Sequence, residues 1–204
     1  NNNCKTMKKN LTWEHRKNIM NKNDIVQMRE ISLRAKDVVV NNNGKEKPLG
    51  SETYWKGLDM ASEDSNMSLS DRDYLKMISA SEIYSKIALE VLNDVYLFND
   101  QLVTEMPMED FDFEPHQDGA FDIGSEFDNL TIMIILDDFT KENGTIECYD
   151  KDWKTLYPKS GDIIILNGTT LHRSSKNKSE LPRSTYILHY TNGYYNPRYH
   201  RKRL

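Results

Sequence analysis

Cysteine is nearly absent from this chain. Only Cys4 and Cys148 occur among 204 residues, and two thiols so far apart, with no signal peptide visible at the start, do not make a disulfide framework. A reducing compartment, the cytoplasm, is therefore expected. Long apolar runs are missing as well. The longest, Ile132 to Leu136, is far short of the roughly 20 residues that cross a bilayer, and the mean hydropathy is -0.75. A soluble protein with no membrane partner is the expectation. Nor is there an excess of positive charge. The formal net charge is -5, which argues against nucleic acid as a partner, because phosphate binding depends on a basic surface that releases counterions. The one basic cluster, Arg198, His200, Arg201, Lys202 and Arg203, reads as a solvated tail.

What is present suits one domain with one buried core. We expect a single domain over residues 1–204, with a helical N-terminal layer at 11–95, a β core at 96–190 and a basic tail at 191–204. From Leu11 to Met20 a loosely helical face carries Leu11, His15, Ile19 and Met20, with Thr12 placed as the cap and Glu14 near the positive end of the dipole. After a turn at Asn21 to Asp24, the residues Ile25, Val26, Met28 and Ile31 suggest a strand leading into a second helical stretch. Val40 to Glu52 collects Asn, Gly and Pro and reads as a surface loop.

Ser70 to Asp94 carries the clearest helical period, through Tyr84, Ile87, Ala88, Val91 and Val95, with Ser70 or Asp71 able to cap it. Beyond it the apolar pattern shortens. Tyr96 to Met106, Leu130 to Leu136, Thr145 to Tyr149, Asp162 to Leu166 and Arg183 to Tyr190 read as strands, separated by turn signals such as Asn143-Gly144 and Asn167-Gly168. Helices first and antiparallel strands after them predict an α+β fold with a sandwich or barrel in the second half.

The segment Glu114-Pro115-His116-Gln117-Asp118-Gly119 holds the chemistry. Residues i and i+2 of a strand share a face, so His116 and Asp118 can present an imidazole nitrogen and a carboxylate oxygen to one metal. The third ligand is offered by His172, which follows the strand Asp162 to Leu166 and its Asn167-Gly168 turn. Two histidines and one carboxylate leave coordination positions open. That suits non-haem Fe(II), where a co-substrate and O₂ must both reach the metal. Arg183 heads the strand RSTYILHY, and its guanidinium suits bidentate capture of a carboxylate, such as the distal one of 2-oxoglutarate.

Four segments in order, PHQDG, LTIMIILDDFTKENG, GDIIILNGTTLHRS and RSTYILHY, together with LTWEHRKNIMNKNDIVQMREI near the start, resemble the phytanoyl-CoA dioxygenase-like family of Fe(II)/2-oxoglutarate oxygenases. The resemblance implies a mainly β, double-stranded β-helix core of the cupin jelly-roll type with flanking N-terminal helices. It implies a small-molecule substrate and hydroxylation of an unactivated C–H bond, with succinate and CO₂ released. It implies that His116, Asp118 and His172 hold the iron and that Arg183 grips the distal carboxylate. Ser174 would hydrogen-bond that carboxylate, and Thr104 would stand where the family often has a polar co-substrate contact. In related halogenases a small residue replaces the carboxylate ligand; here that position is Asp118.

This chain departs from the family at Asn23-Asp24, where Asp-Gly is usual, and after Gly144, where TIECYDKDWKT replaces a Pro-Gly-Ser-His loop. Plainer roles stand beside these. His15, His189 and His200 read as ordinary surface or core histidines. Ser174, Thr104 and Thr131 also fit as turn or β-forming residues. Phe113, Phe121 and Trp153 read as packing or as cavity lining. Arg173, beside His172, points to the opposite face of an extended segment. Two other functions remain: a Zn-dependent hydrolase, which would have no evident use for Arg183, and a non-catalytic cupin-type binding protein.

Overall fold

Ile163, Ile164, Ile165 and Leu166 are all fully buried, so the strand they form is covered on both faces, as its uninterrupted apolar run demands. That strand organises the fold. The computed structural model describes residues 11–43, 68–108, 112–120 and 128–193. In chain order the elements are β1 (Trp13–Arg16), α1 (Lys22–Asn43), α2 (Leu69–Ser79), α3 (Glu82–Leu89), β2 (Tyr96–Glu105), β3 (Phe113–His116), a 3₁₀ turn (Asp118–Ala120), β4 (Asn129–Ile135), β5 (Ile146–Asp150), β6 (Asp152–Leu156), β7 (Ile163–Asn167), β8 (His172–Ser174) and β9 (Arg183–Thr191).

Among the described residues these strands form two antiparallel sheets. One runs β1-β7-β4-β9-β2 and the other β3-β8-β5-β6. Alternate residues of the larger sheet feed two cores, because successive side chains leave opposite faces of a strand. Ile132, Ile134, Ile163, Ile165, Tyr186 and Leu188 meet Met28, Ile31, Leu75, Ile78 and Ile87 of the helices. Ile135, Ile164 and Leu166 turn the other way and meet Ile146 and Cys148 of the smaller sheet around Phe139. The fold is α+β with a mainly β core, a double-stranded β-helix whose larger sheet is covered by helices. Among the described residues no helix is long and apolar enough to cross a membrane.

The N-terminal layer differs from its expected secondary structure. Trp13–Arg16 is a strand, not a helix, because the free edge of β7 offers it a ladder running from Trp13↔Leu166 to Arg16↔Ile163. Tertiary pairing overrides a weak helical period here. Ile25 to Ile31 is helix, not strand: Ile25, Met28 and Ile31 recur every third residue on the buried side of α1. Asn23-Asp24 accordingly sits in the first turn of α1, where Asp24 N donates to Asn21 Oδ1 at 3.0 Å. The end of α1 takes in Val40, and Thr191, where the tail was expected to begin, is the last residue of β9; residues 44–52 of the expected loop, residues 194–204 of the tail and Phe121 lie outside the described residues.

The long helix expected over Ser70 to Asp94 is two. Ala80 closes α2, and Ser81, in extended conformation (φ -62°, ψ 128°), opens α3. Ser79 turns its hydroxyl back to Lys76 O at 3.0 Å, the local competition through which serine favours helix ends. Ser68, ahead of both expected caps, is the residue that caps α2, accepting from Asp71 N at 3.1 Å.

Candidate metal centre

His116 and His172 are cross-strand partners, joined by the pairing of β3 with β8. Their ring centroids are 4.3 Å apart. Asp118 reaches them by a route that strand alternation did not foresee. β3 ends at His116, and Asp118 opens the 3₁₀ turn that follows. Gly119 N donates to Gly168 O at 2.9 Å, and Gln117 Nε2 donates to Thr169 O at 2.7 Å. These bonds tie the turn to the Asn167-Gly168 corner and fold the Asp118 carboxylate back over both rings. Its Oδ1 lies 3.7 Å from His116 Nε2 and 3.6 Å from His172 Nε2. One ligand atom from each of the three residues lies within 4.8 Å of the others.

The ring orientations follow from the backbone. His116 Nδ1 is bonded to Glu114 O at 2.7 Å, and His172 Nδ1 to Thr170 O at 3.0 Å. A carbonyl accepts only, so each Nδ1 carries a proton, and in the neutral ring the lone pair is then on Nε2, facing the centre. Burial pushes the His172 imidazole below its ordinary pKa, further than Asp118 restores it. Burial opposes the charge of Asp118 too, but His172, His189, the Thr131 hydroxyl and His116 outweigh it and hold the carboxyl below its ordinary range. The set is thus a carboxylate with His172 favoured as neutral imidazole, the protonation state that a metal requires. Two imidazoles and a carboxylate on one side of a centre fit a first-row transition ion with positions left open.

Sequence reasoning missed His189. Thr131 Oγ1 lies 2.6 Å from Asp118 Oδ2 and 3.2 Å from His189 Nδ1, which links an apparently ordinary histidine to the candidate ligands. The only signal lay in strand parity: Thr131 and His189 are paired across β4 and β9 and share a face.

The centre opens on a cavity of about 560 Å³ between the sheets, walled by Val103, Phe113, Met133 and Ile187, with the polar groups of Asn99, Gln101 and His189 among them. Arg183 is at this cavity, 2% exposed, its guanidinium over the Phe139 ring at 4.1 Å. Ser174 lines it as well. Thr104 does not. It faces the helical layer, with its Oγ1 3.3 Å from Ser184 Oγ, itself 2.7 Å from Ser32 Oγ of α1. Alternation along β2 puts Glu105 in the cavity instead, ion-paired with Arg183. That acidic residue was also missed, since nothing local distinguishes it.

Trp153 stands elsewhere, beneath the Arg173 guanidinium at 4.3 Å, while Arg173 Nε donates to Glu147 at 2.6 Å. The departure after Gly144 is the β5–β6 hairpin, turning at Lys151 with φ 66°.

No family model and no curated protein matches this chain. Solved structures do. SnoN, the non-haem alpha ketoglutarate dependent epimerase from nogalamycin biosynthesis, superposes with a TM-score of 0.67 at 15% identity, covering 87% of this chain and 76% of its own. The carbocyclase SnoK from the same biosynthesis gives 0.63 at 16%, covering 88% and 79%. EctD from S. alaskensis gives 0.64 at 14%, covering 88% and 72%. At these identities the likeness is one of fold: this chain has the double-stranded β-helix on which those enzymes are built.

Proposed function

We propose that this chain is an Fe(II)- and 2-oxoglutarate-dependent oxygenase that hydroxylates a C–H bond of a small molecule. One observation carries the reading. Both imidazoles have their Nδ1 atoms on backbone carbonyls and aim Nε2 at Asp118, beside a cavity that also holds a buried arginine. SnoN, which shares this fold, has been solved in complex with Fe3+, alpha ketoglutarate and nogalamycin RO, and this supports iron and 2-oxoglutarate as the ligands here. The four ordered sequence motifs support a phytanoyl-CoA dioxygenase-like member.

Iron held by His116, Asp118 and His172, with 2-oxoglutarate and O₂, would supply the oxidising chemistry and leave succinate and CO₂ as products. The protein's part is positional. The two carbonyl bonds hold the imidazoles in one tautomer, and Thr131 holds the carboxylate at its outer oxygen. Arg183 is suited to fix the distal carboxylate of the co-substrate in two-pronged fashion, with Ser174 beside it. Val103, Met133 and Ile187 keep water from the reacting face, while Asn99 and Gln101 offer amide groups to orient a polar substrate. The carboxylate of Asp118 occupies the position that a halide would need, which favours oxygen transfer over halogenation.

The test is anaerobic reconstitution with Fe(II), titration with 2-oxoglutarate, and a metabolite screen for substrate-stimulated succinate release. One iron per chain and saturable 2-oxoglutarate binding are expected. Iron binding without any affinity for 2-oxoglutarate would overturn the reading.

A further inference from the structure

Arg183 already has a carboxylate. It stands directly opposite Glu105 in the antiparallel register of β2 and β9, and directly opposed residues point to the same face of a sheet. Both therefore enter the cavity, where Glu105 Oε1 pairs with Arg183 Nη2. The same Oε1 lies 3.4 Å from Ser174 Oγ, which donates to it. These are the two groups assigned to the distal carboxylate of 2-oxoglutarate. An internal carboxylate thus occupies the anion position that the co-substrate would need.

Any anion that takes the guanidinium by a fork must stand beside Glu105. Each of its two forks, Nε with Nη2 and Nη1 with Nη2, includes the nitrogen that Glu105 holds. Nε and Nη1 are buried without a hydrogen-bond partner. The flat face is covered by Phe139. On the Nη1 side the wall is Gly144 (φ 95°), where an added Cβ would stand 3.0 Å from Nη1 and collide with Ser175 O. A second carboxylate cannot join Glu105 on Nη2 without like-charge repulsion in a site where Arg183 is 2% exposed.

We infer that Glu105 is an intramolecular latch on the co-substrate anchor: its carboxylate neutralises Arg183 in the empty protein and must leave before 2-oxoglutarate binds. The inference rests on the reading of Arg183 as the anchor. Without an anion a guanidinium so deeply buried would be costly, and Glu105 supplies one. The co-substrate binds only the fraction of molecules in which Glu105 has swung away, so its apparent affinity is lowered by that fraction. The effect is confined to ligands with a distal carboxylate. Glu105 thereby sets how much 2-oxoglutarate the site needs, and it discriminates by ligand charge without itself being one of the candidate metal ligands.

The test is anaerobic calorimetry on the Fe(II)-loaded protein, with 2-oxoglutarate and with pyruvate, a 2-oxo acid that has no distal carboxylate. Glu105→Gln is expected to tighten 2-oxoglutarate binding by about tenfold or more and to leave pyruvate within about twofold. Glu105→Asp keeps the charge but withdraws it by one methylene, and should tighten 2-oxoglutarate by about threefold; it decides the matter should the Gln variant fail to fold. If the wild type binds 2-oxoglutarate and the folded variants bind it no more tightly, the latch is wrong and the pair is structural. If the iron-loaded wild type and variants all fail to bind 2-oxoglutarate, the anchor reading falls, and the latch with it.

Discussion

Thr131 donates a 2.6 Å hydrogen bond to Asp118 Oδ2, leaving Oδ1 turned toward the two histidines. With its proton given to Asp118, the same hydroxyl can accept from His189 Nδ1 at 3.2 Å. A chain from β9 through β4 therefore orients the candidate carboxylate ligand. Replacing Thr131 by Val keeps the shape of the strand residue and removes the bond. Metal affinity is expected to fall about 10–100-fold, the usual cost of losing an outer partner of a ligand. A metal titration with unchanged affinity would mean that the hydroxyl merely fills space.

His116→Ala or His172→Ala should abolish iron binding and co-substrate-dependent succinate formation, while the circular dichroism spectrum stays that of the parent. The cores packed by Ile132, Ile164 and Tyr186 lie in the larger sheet and its contacts, so the fold is expected to persist without the metal. Stoichiometric iron in either variant would remove that residue from the ligand set.

Arg183→Lys should weaken 2-oxoglutarate binding by roughly 1.5–3 kcal/mol, the range of a charged hydrogen bond, because an ammonium cannot reproduce the guanidinium fork. The affinity of the primary substrate should move far less. Equal losses for both ligands would point to a general collapse of the cavity rather than to an anchor.

Asp162 gives a pH prediction away from the metal. Its Oδ1 accepts from Asn18 N at 3.0 Å, and its Oδ2 from Lys159 N at 2.9 Å and His15 Nε2 at 2.8 Å. Burial raises its pKa, but these donors outweigh burial and the net shift is downward from 3.8. A carboxyl with a depressed folded pKa stabilises the native state above its unfolded value, and that contribution is lost as pH falls through the folded value. Melting temperature measured from pH 6 down to about pH 3 should therefore fall less steeply in Asp162→Asn than in the parent. At neutral pH the variant should be less stable by about 1–3 kcal/mol. Parallel acid profiles would remove Asp162 from the account.

Some of this was legible from residues alone. The strands β2, β4, β5, β7 and β9 were readable because short apolar runs bounded by turn signals such as Asn143-Gly144 and Asn167-Gly168 have few alternatives. The short strands Asp152–Leu156 and His172–Ser174 were not, since a few mixed residues carry no period. Trp13–Arg16 failed for a different reason: an edge strand is formed by what it pairs with, and β7 lies far along the chain.

The candidate centre divides in the same way. The donor types, the order of the candidate residues His116, Asp118, His172 and Arg183, and the apolar strands between them could be read along the chain, because these are properties of side chains and local spacing. That Asp118 arrives from a 3₁₀ turn, that Thr104 faces the helices, that His189 stands behind Thr131 and that Glu105 pairs with Arg183 became visible in the folded chain alone. Each depends on the register between strands distant in sequence. With a side-chain period of two, a single residue of register determines which face meets the cavity, and that register is set by the packing of the two cores.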